Sequence, residues 1–185
     1  MRNKLFGYCL ALLFTQFAIA LEVEKSEEWD VNNPPGVKKM VDIDVKSGTW
    51  MNVDVSPDGR LIVFDLLGDI YTMPFTGGEA KNITNSMAWD MQAKFSPDGS
   101  LLVFTSDQGG GDNIWIMNLD GSDPRQVTKE KFRLLNSPSW SPDGNYIVAR
   151  KHFTGMRSLG SGEIWMYHKS GGKGVQLNKR PNEQK

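Results

Sequence analysis

The sequence predicts an all-β fold, a β-propeller of four-stranded blades, and three observations carry that reading. Ser56-Pro57-Asp58-Gly59, Ser96-Pro97-Asp98-Gly99 and Ser141-Pro142-Asp143-Gly144 recur at spacings of 40 and 45 residues. Each copy is flanked by the same succession of strand-like segments, and each succession contains a glycine turn. Helical periodicity is not sustained anywhere for even about ten residues, which excludes a repeat of helix pairs.

Residues 1–20 read as a secretory signal peptide. Arg2 and Lys4 form a basic start, an apolar stretch runs over 5–17, and Ala18-Ile19-Ala20 is a small-x-small cleavage site. The apolar run is short for a membrane span, so no span is expected after cleavage. Cys9 is the single cysteine and lies inside this peptide. The exported chain is therefore expected to be held by packing without disulfides, which suits a periplasm. Residues 21–40 read as an acidic, then Pro-rich linker. Val41-Asp-Ile43-Asp-Val45 alternates like the outermost strand of a blade whose other strands do not precede it. It is expected to close a ring by completing the last blade.

Blade one is expected over about 50–84, blade two over 89–128 and blade three over 135–178. The first strands alternate: Met51-Asn-Val53-Asp-Val55, Met91-Gln-Ala93-Lys-Phe95 and Asn136-Ser-Pro138-Ser-Trp140. In the turn, proline presets the first central position, aspartate suits the second, and glycine accepts the left-handed position. The second strands, Leu61-Ile-Val-Phe64, Leu101-Leu-Val-Phe104 and Tyr146-Ile-Val-Ala149, are apolar without alternation, as in sheets covered on both faces. Third strands follow at Asp69-Ile-Tyr-Thr-Met73, Asn113-Ile-Trp-Ile-Met117 and Glu163-Ile-Trp-Met-Tyr167. Glycine turns then lead to short fourth segments centred on Ile83, Val127 and Leu177.

Propellers close with about four to eight blades, and each blade depends on its neighbours for burial. Residues 41–185 therefore read as a partial propeller from a truncated sequence, whose partners include the rest of its own polypeptide.

Strand order places the repeated turns on one face and the connections after second and fourth strands on the other. On that second face the loop after strand two lengthens from 65–68 to 105–112 to 150–162. Such variation on a rigid scaffold marks the face expected to bind. Its candidate binding residues are Trp50, Trp89, Asp90, Asp107, Asp112, Lys131, Arg133, Lys151, His152 and Arg157. Packing near the channel is the simpler reading of the two tryptophans, and glycine turns explain Asp107 and Asp112 around Gly109-Gly110-Gly111. Lys151, His152 and Arg157 make a basic cluster that could receive a carboxylate or simply be a solvated loop. Asn82-Ile83-Thr84 matches a glycosylation sequon.

No catalytic residue is assigned. The two histidines, His152 and His168, stand apart, no zinc-binding histidine motif is present, and no Gly-x-Ser-x-Gly elbow occurs. No cofactor or metal is expected in this chain. Beyond the signal the chain carries 19 basic and 22 acidic residues, which gives no basic stripe for nucleic acid. A protein or peptide ligand fits better.

Residues 51–177, best shown by Asp112-Asn-Ile-Trp-Ile-Met-Asn-Leu-Asp-Gly-Ser-Asp-Pro-Arg-Gln-Val-Thr128, resemble the TolB-type propeller repeat. A narrower resemblance is carried by Trp29-Asp-Val-Asn-Asn-Pro-Pro35, Gly48-Thr-Trp-Met51, Phe64-Asp-Leu-Leu-Gly-Asp-Ile-Tyr71, Met87-Ala-Trp-Asp90 and Ala149-Arg-Lys-His-Phe153. These segments look like the N-terminal propeller of exported amidohydrolases, in which a metal-dependent barrel follows the propeller. That resemblance implies a parent hydrolase acting on C–N bonds with zinc or another divalent metal. This chain would be its non-catalytic binding or gating module. A TolB-like periplasmic adaptor and the propeller of a prolyl-oligopeptidase-type peptidase are the alternatives.

Overall fold

A computed structural model describes residues 29–153 and 162–178. The expected signal peptide and Arg157 lie outside the described residues. The chain folds into three antiparallel four-stranded sheets, each built from consecutive strands. The first holds β1 (Val53–Val55), β2 (Leu61–Leu66), β3 (Asp69–Pro74) and β4 (Lys81–Asn82). The second holds β5 (Met91–Phe95), β6 (Leu101–Ser106), β7 (Asn113–Asn118) and β8 (Arg125–Gln126). The third holds β9 (Leu135–Trp140), β10 (Tyr146–His152), β11 (Gly162–His168) and β12 (Val175–Gln176). The all-β blade architecture read from the repeats is the observed one.

Each repeated turn is wired alike. Ser56 Oγ donates to Asp58 Oδ1 at 2.6 Å and accepts the Leu61 amide at 2.9 Å, while the Gly59 amide closes onto the Ser56 carbonyl at 2.8 Å. Ser96 and Asp98 repeat the distances of the first two bonds. The serine hydroxyl, followed by the amide and hydroxyl of Ser100, holds the Asp98 carboxyl down at about 2. Successive turns also lie near one another, for a Cβ added at Gly99 would come 3.5 Å from the Pro57 ring and one at Gly144 3.7 Å from the Pro97 ring.

The middle blade is buried on both sides, which explains its unbroken apolar second strand. Leu102, Phe104 and Met117 pack with Val63, Ile70, Ala93 and Phe95 toward blade one. Val103, Ile114 and Ile116 pack with Leu135, Ile147, Ala149 and Tyr167 toward blade three. The two outer blades have open sides, where Val53, Val55, Tyr146 and Ile164 are exposed.

Residues 41–45, expected to complete a blade other than these three, take no strand here and are exposed; a lone strand has no ladder without a partner. Two expectations need correction. The fourth strands stop one residue short of their expected centres, although Ile83 and Leu177 still donate to Ile70 and Ile164 at 2.9 and 2.8 Å. Finally, β10 runs on to His152, so Lys151 and His152 are strand residues rather than loop residues.

Polar side chains stitch the inner strands together. In β5 and β9 a β-bulge sets two residues against one, and its first residue, Gln92 or Ser137, takes a left-handed φ of 60° or 52°. The amide freed at each bulge is received by the preceding blade. Asp65 Oδ2 accepts the Gln92 amide at 2.6 Å, and Gln92 Oε1 accepts the Ser137 amide at 2.7 Å.

Candidate functional site

On the face of the long loops, a cleft of about 340 Å³ opens between blades one and two. Thr49, Trp50, Asn52, Asp65, Leu66, Leu67, Gly68, Trp89, Asp90 and Met91 line it. Its floor comes from the tight turn joining β2 to β3, where Leu67 and Gly68 both adopt positive φ. Only glycine fits at 68, since a Cβ there would lie 3.0 Å from the Trp89 ring at a φ of 91°. The turn also anchors the next blade, its Gly68 carbonyl accepting the Asp90 amide at 2.8 Å.

Both expected tryptophans line this cleft. Trp50 is 100% exposed and Trp89 46% exposed. The Trp89 amide donates to Asp107 Oδ1 at 2.8 Å, so Asp107 holds the entry to blade two. Asp90 is the unusual member, for only 2% of it is exposed and its Oδ1 finds no hydrogen-bond partner. The Ser106 and Thr84 hydroxyls engage the carboxyl, yet burial, reinforced by the charges of Asp69 and Asp107, pushes its pKa up to about 6. The repeat register shows why this is odd. The position six residues before the repeated serine is Trp50 in blade one, Asp90 in blade two and Leu135 in blade three. Leu135 is fully buried in the apolar core.

Of the other candidates, Lys151 and Arg133 are matched by carboxylates of the same chain, while both ring nitrogens of buried His152 have no hydrogen-bond partner. Lys151, 7% exposed, donates to Glu130 Oε1 at 2.6 Å and lies 4.2 Å from the centre of the Trp165 ring. Arg133 donates to Glu163 Oε2 at 2.6 Å and to the His152 carbonyl at 2.7 Å. His152 is buried, and that burial, with the Arg150 charge, holds its pKa below the ordinary value. Lys151 of the expected basic cluster, like Arg133, faces a carboxylate of its own chain, and Arg157 lies outside the described residues. Asp112 is buried beside Asn113, and its carbonyl accepts the Leu135 amide at 3.0 Å. Lys131 is exposed.

Glu130, Glu163 and Asp65 were not singled out by the sequence. Asp65 carried a legible signal, an acid between Phe64 and Leu66 in an otherwise apolar strand. The Thr84 and Thr128 hydroxyls, one of them in the glycosylation sequon, accept the Ile70 and Ile114 amides at 2.8 and 2.9 Å. Threonine at these two places is accounted for by the ladder.

Among the described residues no three His, Cys, Asp or Glu side chains are placed to hold a metal ion. Nor is any helix there long and apolar enough to cross a membrane.

The family model described as the TolB beta propeller domain matches residues 38–173. A protein TolB homolog of Chlorobaculum tepidum is 33% identical over 91 residues, which are 49% of this chain and 20% of that protein. An uncharacterized peptidase of Bacillus subtilis is 32% identical over 93 residues, 50% of this chain and 12% of that protein. Among solved structures, TolB from Acinetobacter baumannii superposes with a TM-score of 0.52 at 26% identity, covering 68% of this chain and 31% of that one. A putative TolB from Agrobacterium tumefaciens gives 0.58 at 23% identity, covering 67% and 47%, and shares the fold. The chain spans a third or less of the length of the curated relatives it matches.

Proposed function

Because the chain belongs to the TolB beta propeller domain family, we propose that it is a non-catalytic binding module of an exported protein. In this reading it takes a segment of a protein or peptide partner into the cleft between blades one and two. The observation that carries the reading is that two exposed tryptophans, Trp50 and Trp89, line one cleft on the variable face. Aromatic side chains offer large, stiff contact areas at low entropic cost and dominate protein interfaces. The signal-like residues 1–20 support export.

The polypeptide to which the blades belong is read from motifs. The segments around Trp29, Phe64, Trp89 and Ala149 favour an amidohydrolase parent, whose divalent metal and C–N bond chemistry would belong to another domain. The match to a Bacillus subtilis peptidase favours instead a propeller that gates a peptidase domain. The TolB homologs favour a third role, an adaptor that works by contact alone.

A photo-crosslinking residue at position 50 in the full chain, compared with one at Arg60 on the opposite face, tests the binding reading. Adducts to a partner from position 50 and none from position 60 are expected. Adducts only from position 60, or none from either, would overturn it. Hydrolysis of amide or peptide substrates by the isolated chain would overturn the non-catalytic assignment.

A further inference from the structure

The cleft contains a charge that folding alone does not require. The same position of the third repeat holds Leu135 in a wholly apolar core, so the blade architecture accepts an apolar side chain there. Asp90 instead takes a carboxyl out of water with Oδ1 left unpartnered. Uncompensated buried groups of this kind are costly and gather at functional sites. No ion pair joins Asp65, Asp69 or Asp90 to a lysine or arginine among the described residues. Asp65 is fully engaged by Asn52 and Gln92, which leaves Asp90 as the acceptor.

We propose that the cleft receives the ε-ammonium of a lysine side chain from a peptide partner, with Asp90 as counter-ion and Trp50 and Trp89 as its walls. The proposal rests on the cleft being the binding site and names the chemistry it selects. A divalent cation needs several oxygen ligands, and none of the described clusters supplies them. A guanidinium prefers two free carboxylate oxygens in a fork, whereas Asp90 has one oxygen without a partner. An ammonium on a thin stem needs only one. Tryptophan faces attract such a cation, and Leu66 and Met91 offer apolar surface to its methylene stem. Thr49 and Asn52, which also line the cleft, offer polar groups to the backbone of a peptide that a bare diamine would not use.

The test is a titration of the full chain, followed by tryptophan fluorescence, with acetyl-Gly-Lys-Gly-amide as probe. The lysine peptide is expected to bind. Its Nε-acetylated form, or use of the Asp90→Asn variant, is expected to weaken binding by about tenfold or more, the scale of a charge-assisted hydrogen bond. Asp143→Asn, on the opposite face, should leave it unchanged. Equal binding of the acetylated probe or the arginine analogue, or full binding by Asp90→Asn, would overturn the proposal. Cadaverine binding as tightly as the peptide would overturn the assignment to a peptide. Failure of the lysine peptide to bind while position 50 still crosslinks a partner defeats the lysine assignment alone. Loss of both defeats the cleft reading as well.

Discussion

Asp65 of blade one accepts the backbone amide of Gln92 of blade two at 2.6 Å, across the boundary between the sheets. The same carboxylate takes the Asn52 amide at 2.9 Å and the Asn52 side-chain nitrogen at 2.8 Å. Three donors on one acid in an apolar strand make it a clamp between repeats.

Asp65→Ala is expected to destabilise the full chain by about 1–3 kcal/mol, because the amide of half-buried Gln92 loses its acceptor across the blade boundary, while exposed Asn52 can turn to water. Urea unfolding with an unchanged m-value would check it, and a loss below about 0.5 kcal/mol would show that water replaces the carboxylate.

Asp90→Leu should stabilise the fold while it abolishes the proposed lysine binding. The folded-state pKa of about 6 lies above the ordinary 3.8, with Asp69 and Asp107 as the charged neighbours. Protonation of Asp90 is therefore favoured by folding. The stability it contributes is fully present below pH 3.8 and is lost as pH rises through about 6. Relative to the parent, Asp90→Leu should gain roughly 3 kcal/mol at pH 7.5 from this linkage, and the gap should narrow toward pH 4. Thermal unfolding across that range reads it directly.

Gly121→Ala is expected to be severe, at about 3 kcal/mol or more. The glycine has a φ of 88°, and a Cβ would sit 2.0 Å from the Ile83 carbonyl oxygen of the neighbouring blade. Gly59→Ala, with a φ of 71° but open space around it, should cost only the backbone strain, about 1 kcal/mol. Equal effects would mean that the inter-blade contact is unimportant.

Trp50→Ala should change stability by less than about 0.5 kcal/mol, since the side chain is wholly exposed. Partner crosslinking or peptide binding should nevertheless fall. A stability loss comparable to that of a core residue would place Trp50 in packing instead.

Much of the fold was legible because the repeat writes each blade's turn and apolar strand in local chemistry, with a closing threonine in blades one and two and Asn178 in its place in blade three. The site was legible only in part. Trp50, Trp89 and Asp90 could be placed on the right face from strand order, since that depends on connectivity alone. The pairing of Lys151 with Glu130 and of Arg133 with Glu163 could not, because those partners come from different strands and loops whose approach the sequence does not state. The extension of β10 to His152 was missed because Arg150 and Lys151 are charged and read as loop. Their stems lie along the sheet while one head reaches a carboxylate. Residues 41–45 alternate like a strand, and no described strand offers them a ladder.

The nearness of Gly99 to Pro57, and of Gly144 to Pro97, has a consequence for how alike the three turns really are. A methyl group added at 99 or 144 would come to rest 3.5 or 3.7 Å from the proline ring of the preceding copy, whereas one at 59 would meet nothing within 4 Å. The same four letters are therefore not interchangeable between copies. A turn with a neighbour before it has a wall on that side, and the first described turn looks onto open space.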